Sequence, residues 1–349
     1  MVQDFSLFEM KKIRTVLLGL GSVNIGLLKI LEEKSSTIAK RHQLELAIIG
    51  AADSTGAAVN DSGYSFEELT GLKSRGDGAN KLEGYLPAVT AEQIVDSVEA
   101  DLLVEASPVN LKTGNPGLQA IRSALVKGWS VVSANKAPLV LAFDELNSLA
   151  DEHGGKLAYS AAVCGGLPII NVLERDLRAT DLIGLRGVFN ATSNFILEEL
   201  EEGRPFEAAV REAQRIGAAE SDPALDIDGF DTAIKLYIIM KSFTGFSGSL
   251  DDIEIEGIRG VGASLIEQAK NRNQRIKLIA AADRSENEWA LSVRPLEVAA
   301  GSFLGSCDGW EMGIQLQTDY YEDIAMKIRE EEPISTCAAV LRDIINIFE

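Results

Sequence analysis

The sequence predicts an α/β protein that combines a doubly wound parallel sheet with a second, α+β domain. Two observations predict the sheet: short β-type runs alternate with helix-period segments over the first 160 residues, and the first run ends in a glycine-rich turn. A third predicts the second domain, because after about residue 160 the alternation gives way to strand candidates separated by groups of helices. The 349 residues suffice for roughly two domains of about 150 residues each.

Composition limits the function classes. The formal net charge of −20 argues against a nucleic-acid surface, because phosphate binding requires clustered Lys and Arg, and it argues equally against an anionic membrane surface. Residues 1–12 lack a basic start followed by a long apolar stretch, and no run reaches the roughly 18 apolar residues that a membrane helix needs. We therefore expect a soluble, cytoplasmic protein with neither nucleic acid nor membrane as partner.

Cysteine and histidine content argues against a metal or disulfide scaffold. The three cysteines, Cys164, Cys307 and Cys337, have no CxxC spacing, and the chain has only two histidines. Neither a zinc site nor a disulfide framework is expected from this set.

The strand candidates of the first domain are β-type runs of six residues. They are IRTVLL (13–18), LELAII (44–49), DLLVEA (101–106), WSVVSA (129–134) and KLAYSA (156–161). The segments VNIGLLKILEEK (23–34) and GLQAIRSALVKG (117–128) have the period of helices and lie between them. Strands that alternate with helices are joined by right-handed crossovers, so they are expected to run parallel in one sheet.

After about residue 160 the pattern predicts a second sheet with helices packed beside it. The strand candidates are LRGVFN (185–190), RIKLIAAAD (275–283) and ALSVRPLEV (290–298), and the helices lie near 193–201, 206–216 and 231–243. The segment TCAAVLRDIINIF (336–348) is amphipathic, so this terminal helix needs an apolar surface to cover.

A glycine-rich turn, GLGSVN, follows the first strand. Gly19 and Gly21 let the chain turn from strand to helix. The backbone N–H groups that follow, at Ser22 and Val23, then lie at a helix N-terminus, where a pyrophosphate binds. Asn24 occupies the position of the third glycine, whose main role is close packing of helix on strand. The turn predicts a Rossmann-type dinucleotide site; the alternative is a tight structural turn.

Cofactor choice depends on the end of the second strand. Asp53, in AADS, is placed to hydrogen-bond a ribose 2′-hydroxyl, which favours NAD over NADP. An aspartate that only caps a loop turn is the alternative. Lys73 and Arg75 could instead contact a 2′-phosphate, so the sequence leaves both NAD and NADP open.

Two later strand ends carry the remaining crevice residues. In a doubly wound sheet, ligands bind outside the carboxyl ends of the strands. Ser107 and Pro108 follow the third strand candidate, and Asn135 follows the fourth. Lys136 comes next, and all four are expected to line the cofactor crevice. For Lys136 the alternative is an exposed loop lysine, although loops after parallel strands are where function concentrates.

Carboxylates crowd the segment AAESDPALDIDGFDTAIKL, which carries a single lysine. Asp231 and Lys235 are four residues apart, so they share one face of a helix. The aliphatic residues around Lys235 are expected to lower the pKa of its amine, while Asp231 opposes that shift, so such a lysine can exchange a proton near neutral pH. The spacing alone leaves open the alternative of an ordinary ion pair on a partly buried helix.

Together, these motifs resemble those of homoserine dehydrogenases. The similarity runs in order from about residue 13 to about residue 300, and AESDPALDIDGFDTAIK is its most specific part. It also includes GLGSVN, TGNPGLQAIRSALVKGWSVVSANKAPL, YSAAVCGGLPII, GVFNATSNFIL and DIEIEGI. The resemblance implies a nucleotide-binding domain over 1–157 that a C-terminal helix at 326–349 completes, and a catalytic and dimerisation domain over 158–325.

The resemblance also implies a reaction. Homoserine dehydrogenases interconvert L-homoserine and L-aspartate 4-semialdehyde by hydride transfer with NAD or NADP, a step toward threonine and methionine. A small-molecule substrate and a homodimer are therefore expected. The chain resembles the short form of the family, which lacks a regulatory C-terminal domain.

Individual residues receive roles from the same resemblance. Glu220 matches the acid that binds the substrate, and Asp226 and Asp231 match the acidic residues of its pocket. Lys235 matches the lysine beside the reacting oxygen, and Lys136 matches the active-site lysine on the cofactor side. Which of the two lysines accepts the hydroxyl proton stays open.

Several positions depart from the family pattern. Thr192, at a substrate-binding position, is retained, but Ala191 replaces the glycine before it. Ser160 stands where a glutamate helps to bind a monovalent cation, so at most a weak cation site is expected near Val163 and Gly165. The segment KIREEEPIST replaces a glycine-rich loop that approaches the cofactor. Two alternatives therefore stay open: a related oxidoreductase for another small amino or hydroxy acid, and a noncatalytic NAD-binding sensor.

Overall fold

The chain forms two compact units. The computed structural model describes residues 10–286 and 288–349, so the prediction made for residues 1–12 falls largely outside the described residues. The first unit runs to Gly166 and takes in Glu332–Glu349, and the second is Leu167–Glu331. In the described part of the chain, no helix combines the length and the hydropathy needed to cross a membrane.

The elements alternate in the first unit and are grouped in the second. The first unit contains β1 (Lys11–Leu18), α1 (Ser22–His42), β2 (Leu44–Asp53), β3 (Gly56–Tyr64), α2 (Phe66–Arg75), β4 (Tyr85–Leu86), β5 (Leu102–Glu105), α3 (Gly117–Val126), β6 (Ser130–Ser133), α4 (Lys136–His153) and β7 (Leu157–Ala158). The second contains α5 (Ile169–Asn171), β8 (Leu182–Val188), α6 (Ala191–Glu201), α7 (Phe206–Arg215), α8 (Ala224–Ile227), α9 (Phe230–Thr244), β9 (Glu254–Ile255), α10 (Ala263–Asn271), β10 (Gln274–Ser285), β11 (Glu288–Ala299), β12 (Glu311–Thr318) and β13 (Asp323–Arg329). The last helix, α11 (Ile334–Phe348), belongs to the first unit.

The sheet of the first unit has seven strands in the order β4-β3-β2-β1-β5-β6-β7. The five strands from β2 to β7 in this order run parallel, and they coincide with the five strand candidates of the sequence. The chain winds from β1 first toward β2 and later toward β5, so the switch point, where ligands bind, lies between β1 and β5. The predicted doubly wound sheet is confirmed.

Two antiparallel strands extend this sheet at one edge. β3 pairs with β2 and β4 pairs with β3, both antiparallel. The sequence does not predict them, because GAAVNDSGY mixes small and polar residues without a clear alternation and β4 has only two residues.

Helices cover both faces of the sheet. Leu17 and Val104 point to the face covered by α1 and α11. Leu18 and Leu103 point to the other face, where α3 and α4 pack. Because both faces are buried, the parallel strands have continuous apolar sequences.

The terminal helix α11 completes the first unit. It begins at Ile334 and not at residue 326, because residues 326–329 belong to strand β13. Its apolar side packs on α1, as its amphipathic pattern requires. The two helices approach closely at Gly26, where an added Cβ would lie 2.3 Å from the Sγ atom of Cys337.

The second unit is built on a six-stranded sheet in the order β13-β12-β8-β10-β11-β9. Neighbouring strands are antiparallel except β9 and β11. The three strand candidates of the sequence form β8, β10 and β11, whereas β9, β12 and β13 are not predicted. Helices α6, α9 and α10 pack against the sheet.

Helix α9 is the buried helix of the second unit. It begins after Gly229, whose φ of +85° favours glycine. Apolar residues occupy nearly all of its sides, which is typical of a helix enclosed by other elements. Asp231 and Lys235 therefore occupy its first two turns in surroundings that exclude most water.

Candidate active site

The turn after β1 forms an open helix N-terminus. Gly19 has a φ of +89°, and a Cβ added there would lie 2.4 Å from the carbonyl oxygen of Ala106, so no other residue fits. Gly21 is the N-cap of α1; no side chain caps the helix, and a Cβ at Gly21 would meet nothing within 4 Å. The first-turn N–H groups, beginning at Ser22 and Val23, are therefore available to an anion such as a pyrophosphate.

Asn24 occupies the position of the third glycine of the dinucleotide motif. A glycine there would only let helix α1 pack closely on β1, whereas Asn24 also forms hydrogen bonds to the end of β1. Its side chain is fully buried, and its Nδ2 donates to the carbonyl oxygens of Gly19 at 2.7 Å and Leu18 at 3.2 Å. These bonds hold the first turn of α1 against the end of β1. The asparagine thus leaves the uncapped N-terminus of α1 in place.

Asp53 ends β2 and shapes the loop beside it. Its Oδ1 accepts hydrogen bonds from the backbone N–H and the hydroxyl of Thr55, at 2.8 and 2.6 Å, and its Oδ2 accepts from the N–H of Ala79 at 3.3 Å. The carboxylate therefore caps a turn at the strand end where a ribose is recognised in this fold. Nearby on α2, the Arg75 guanidinium donates to Asp77 at 3.0 Å.

The ends of β5 and β6 meet around a buried carboxylate, Glu105. It accepts hydrogen bonds from the N–H and the hydroxyl of Ser107, at 2.9 and 2.5 Å. It also accepts from the hydroxyl of Ser133 at 2.8 Å and from Nδ2 of Asn135 at 3.3 Å. Burial raises the pKa of Glu105, and these hydrogen bonds oppose the rise. The predicted crevice residues Ser107 and Asn135 thus lie together, held by an acid whose role the sequence does not indicate.

Lys136 is the first residue of α4, and its position is set by the helix cap. The Oδ1 atom of Asn135 accepts a hydrogen bond from the N–H of Ala137 at 3.0 Å. Lys136 is half-buried, while Pro108 is exposed in the loop after β5. The residues predicted to contact the cofactor thus lie at the carboxyl ends of β1, β2, β5 and β6.

In the second unit, Asp231 and Lys235 form a buried ion pair. The Nζ atom of Lys235 lies 2.8 Å from Oδ2 of Asp231, and it donates to the carbonyl oxygen of Phe189 at 2.6 Å. The two side chains are 8% and 13% exposed, so solvent screens this pair far less than a surface pair. The amine is held in one place at the junction of β8 and α6.

Asn190 joins this ion pair to a second carboxylate. Its Nδ2 donates to Oδ1 of Asp226 at 2.6 Å and to Oδ2 of Asp231 at 2.8 Å. Its Oδ1 accepts from the N–H of Ser193 at 2.7 Å and so caps α6. The sequence does not predict this bridging role; the available signal is an asparagine placed just before a helix-period segment, a common N-cap.

The other predicted substrate residues lie on the neighbouring loop. Thr192, buried in the first turn of α6, donates to the carbonyl oxygen of Ala218 at 2.5 Å. This bond ties the helix to the loop that carries Glu220. Glu220 itself is exposed and lies outside the buried cluster of Lys235 and its partners.

Two further acids of the same segment have structural partners. Asp222 accepts from the N–H of Ala224 at 3.1 Å, in the turn that leads into α8. Asp228 pairs with the guanidinium of Arg259. Both acids stabilise the loop around α8, and neither is predicted to contact the substrate.

Known proteins of similar sequence identify the family. A family model described as homoserine dehydrogenase matches residues 168–345. A homoserine dehydrogenase of Methanocaldococcus jannaschii is 32% identical over 337 residues, which are 95% of this chain and 98% of that protein. This chain belongs to the homoserine dehydrogenase family.

Other homoserine dehydrogenases match over nearly the whole chain. An NAD(+)-dependent homoserine dehydrogenase of Pseudomonas canavaninivorans is 29% identical over 97% of both chains. The structure of a hyperthermophilic archaeal homoserine dehydrogenase in complex with NADPH has a TM-score of 0.82 and 26% identity, over 97% of this chain and 98% of that one. The predicted family, α/β fold class and dehydrogenase class are confirmed, and the relatives' cofactors agree with the prediction of NAD or NADP.

The loop after β7 departs from the homoserine dehydrogenase pattern at Ser160. Ser160 is buried and donates to the carboxylate of Asp343 on α11 at 2.6 Å, and the guanidinium of Arg342 donates to Ser160 Oγ at 2.9 Å. Among the residues that the structure describes, no group of three or more His, Cys, Asp or Glu is arranged to hold a metal. The weak cation site near Val163 and Gly165 stays a prediction.

Proposed function

We propose that this chain catalyses reversible hydride transfer between L-homoserine and L-aspartate 4-semialdehyde with NAD or NADP, and so serves threonine and methionine synthesis. The observation that carries the proposal is the buried cluster of Lys235, Asp231, Asn190 and Asp226 in a member of the homoserine dehydrogenase family. The cluster combines a fixed amine with two acids, and the substrate needs both kinds of group.

The acids of the second unit suit the charged end of the substrate. Homoserine carries an ammonium group, and charge-assisted bonds to carboxylates are the strong way to hold one. We assign Asp226 and Glu220 to this contact, with Thr192 holding the segment just before Glu220 through its bond to Ala218. Asp231 orients Lys235 and adds negative charge beside it.

Oxidation of the alcohol breaks a C–H bond and an O–H bond and forms a C=O double bond. The nicotinamide ring supplies the chemistry of accepting the hydride with its electron pair when the cofactor is bound. The hydroxyl proton goes to a base, and we assign the neutral amine of Lys235 as its acceptor. In the reverse direction the Lys235 ammonium returns that proton to the aldehyde oxygen.

Lys136 is the second lysine assigned to the reaction. It extends from the first turn of α4, beside the predicted cofactor residue Asn135. A cation at this strand end can hold the substrate carboxylate, and its neutral form can accept a proton. Variants at the two lysines, described below, separate these roles.

The first unit suits a nicotinamide dinucleotide. The uncapped N-terminus of α1 can bind the pyrophosphate, because it offers N–H groups and the positive end of a helix dipole. Asp53 has the position of a ribose partner. The residues we assign to cofactor binding are Gly19, Gly21, Ser22, Val23, Asp53, Ser107, Pro108 and Asn135.

We further propose that the protein acts as a homodimer in the cytoplasm. β13 is an edge strand of the second sheet, and an exposed edge can pair with another copy. Tyr320 and Tyr321, 78% and 51% exposed just before β13, add an aromatic patch that suits an interface. Cys164, Cys307 and Cys337 are buried and are not joined in disulfides, which agrees with a reducing compartment. Light scattering tests the dimer, and Tyr320→Lys is expected to weaken it.

The test of function is the absorbance of reduced nicotinamide with purified protein, L-homoserine and NAD or NADP. We expect steady reduction that Lys235→Ala abolishes while cofactor binding persists. The same assay is run on other small amino and hydroxy acids. If one of these acids is turned over faster than homoserine, that acid is the substrate. If the protein binds cofactor but turns over none of them, the proposal that it is an enzyme is contradicted.

A further inference from the structure

We propose that Glu105 is a positioning residue of the cofactor crevice, which holds the ends of β5 and β6 in register with the glycine turn after β1. The proposal rests on the proposed function, since it takes Ser107 and Asn135 to be cofactor contacts. Glu105 itself is assigned no contact with cofactor or substrate.

The chain's own donors occupy the Glu105 carboxylate. Oε1 accepts from the N–H and hydroxyl of Ser107 and from Nδ2 of Asn135, and Oε2 accepts from the hydroxyl of Ser133. Each carboxylate oxygen offers about two acceptor positions, so the three donors fully occupy Oε1 and the Ser133 hydroxyl takes one position of Oε2. Glu105 is fully buried, so it serves its neighbours and not a ligand.

The network leads from Glu105 to the start of α4. Ser133 Oγ accepts from the N–H of Asn135 at 3.1 Å, so the serine links the carboxylate to the backbone of the helix cap. Asn135 is held at its amide by Glu105 and caps α4 with its Oδ1. The orientation of the first turn, where Lys136 lies, therefore depends on the position of one carboxylate.

The same residue sets the wall against which the glycine turn packs. After Glu105, the N–H of Ala106 donates to the carbonyl oxygen of Leu18 at 2.9 Å. A Cβ at Gly19 would lie 2.4 Å from Ala106 O and 2.9 Å from the Ser107 nitrogen. Because Glu105 binds that nitrogen, a shift of its side chain moves the backbone that Gly19 touches.

The first turn of α3 closes the carboxylate from a further side. A Cβ at Gly117, the first residue of this helix, would lie 2.7 Å from Oε1 of Glu105. Burying an acid costs folding free energy unless the acid is hydrogen-bonded. If this position served stability only, apolar side chains could fill it without that cost. A fully bonded acid instead specifies one arrangement of its donors.

Two conservative variants separate position from charge. Glu105→Gln keeps the length of the side chain and the acceptor for Ser107. The hydroxyl of Ser133 lies 3.4 Å from the carbonyl oxygen of Asn135, so it can donate there and accept from the new amide. Glu105→Asp keeps the charge but withdraws the oxygens from all four donors.

Cofactor affinity is measured by the fluorescence of NADPH, together with kcat for homoserine oxidation and the melting temperature. We expect Glu105→Asp to weaken cofactor binding by about tenfold or more and to lower kcat, because the groups that contact the cofactor are displaced. Glu105→Gln should keep cofactor affinity and kcat within about threefold of the wild type. Asp343→Asn is the matched control, because Asp343 is a buried acid bonded to a serine in the same unit; it should lower the melting temperature with cofactor affinity within about twofold.

Other outcomes overturn the proposal. If Glu105→Asp binds normally and Glu105→Gln does not, the charge and not the position matters. If both variants behave like Asp343→Asn, Glu105 serves stability only. Failure of the proposed function would differ, because the wild type would then not oxidise homoserine, whereas NADPH binding is measured without homoserine.

Discussion

The amine of Lys235 lies 2.8 Å from the carboxylate of Asp231, one turn earlier on α9, and both side chains are almost wholly buried. A buried pair of this kind holds its geometry, but it leaves a costly charge if one partner is removed. The pair that we assign to catalysis is therefore also a structural risk for any variant that breaks it.

Lys235→Met, which keeps the apolar stem, should lower kcat for homoserine oxidation by about 100-fold or more, because the proton acceptor is lost. The double variant Lys235→Met/Asp231→Asn should regain stability without regaining turnover, since the buried charge is removed. Lys241→Met, in the last turn of the same helix, serves as the control and should retain turnover.

Lys136→Met should likewise lower turnover by about 100-fold if both lysines act in the reaction. The pH dependence of kcat for homoserine oxidation then decides between them: the variant that no longer shows a fall in kcat toward low pH lacks the proton acceptor, and the other loses substrate affinity. Normal turnover in both single variants would contradict the assignment of either lysine.

Asn190→Asp should raise the KM for homoserine and lower kcat by about tenfold or more. The aspartate keeps an oxygen to cap α6, but it replaces the amide donor with a third carboxylate beside Asp226 and Asp231. Three adjacent carboxylates take up shared protons as the pH falls, which removes the added negative charge. The loss of activity relative to the wild type should therefore shrink at low pH. Asn190→Ser keeps a cap oxygen without the added charge, and a pH-independent loss in both variants would contradict this account.

Lys277 is a second buried amine of the second unit, 1% exposed. On β10, its Nζ donates to Oδ1 of Asn194 at 2.7 Å and to the carbonyl oxygen of Cys307 at 2.5 Å. Burial lowers its pKa from 10.5 to about 8, and Arg275 acts in the same direction, while nearby acids oppose the shift. The folded protein thus releases this proton more readily than the unfolded chain. Its contribution to stability is present above pH 10.5 and is lost as pH falls through about 8.

The free energy of unfolding of the wild type should therefore rise relative to Lys277→Met between pH 7 and pH 9.5. The expected relative gain is on the order of 2 kcal/mol, from a shift that spans this range. Urea unfolding at both pH values measures it. Groups that titrate alike in both proteins cancel in the difference between their free energies of unfolding. If that difference is the same at both pH values, Lys277 titrates normally and the prediction is wrong.

Asp53→Ala should weaken NAD more than NADP if the carboxylate binds the ribose. Thr55→Val is the matched control, because it removes a hydroxyl that bonds Asp53 in the turn but leaves the charge in place. Dissociation constants for both cofactors give the ratio. If the two variants change the ratio equally, Asp53 acts only through the shape of the turn.

Some of the site could be predicted because its signals are local. The glycine turn needs only neighbouring residues, and Asp231 and Lys235 meet because four residues separate them on one helix. The parallel strands are likewise marked by short apolar runs. β3 was not predicted, since GAAVNDSGY mixes small and polar residues without a strong period.

By itself, the sequence determined the family, the glycine turn and the Asp231–Lys235 pair, because those features depend on residue types at short spacing. Only the tertiary structure decided which distant residues form hydrogen bonds with these groups. Asn190 reaches Asp231 across 41 residues, Glu105 reaches Asn135 across 30, and Ser160 bonds an acid 183 residues away. Such partners meet because strand order and helix packing bring distant segments together, and no local pattern encodes that meeting.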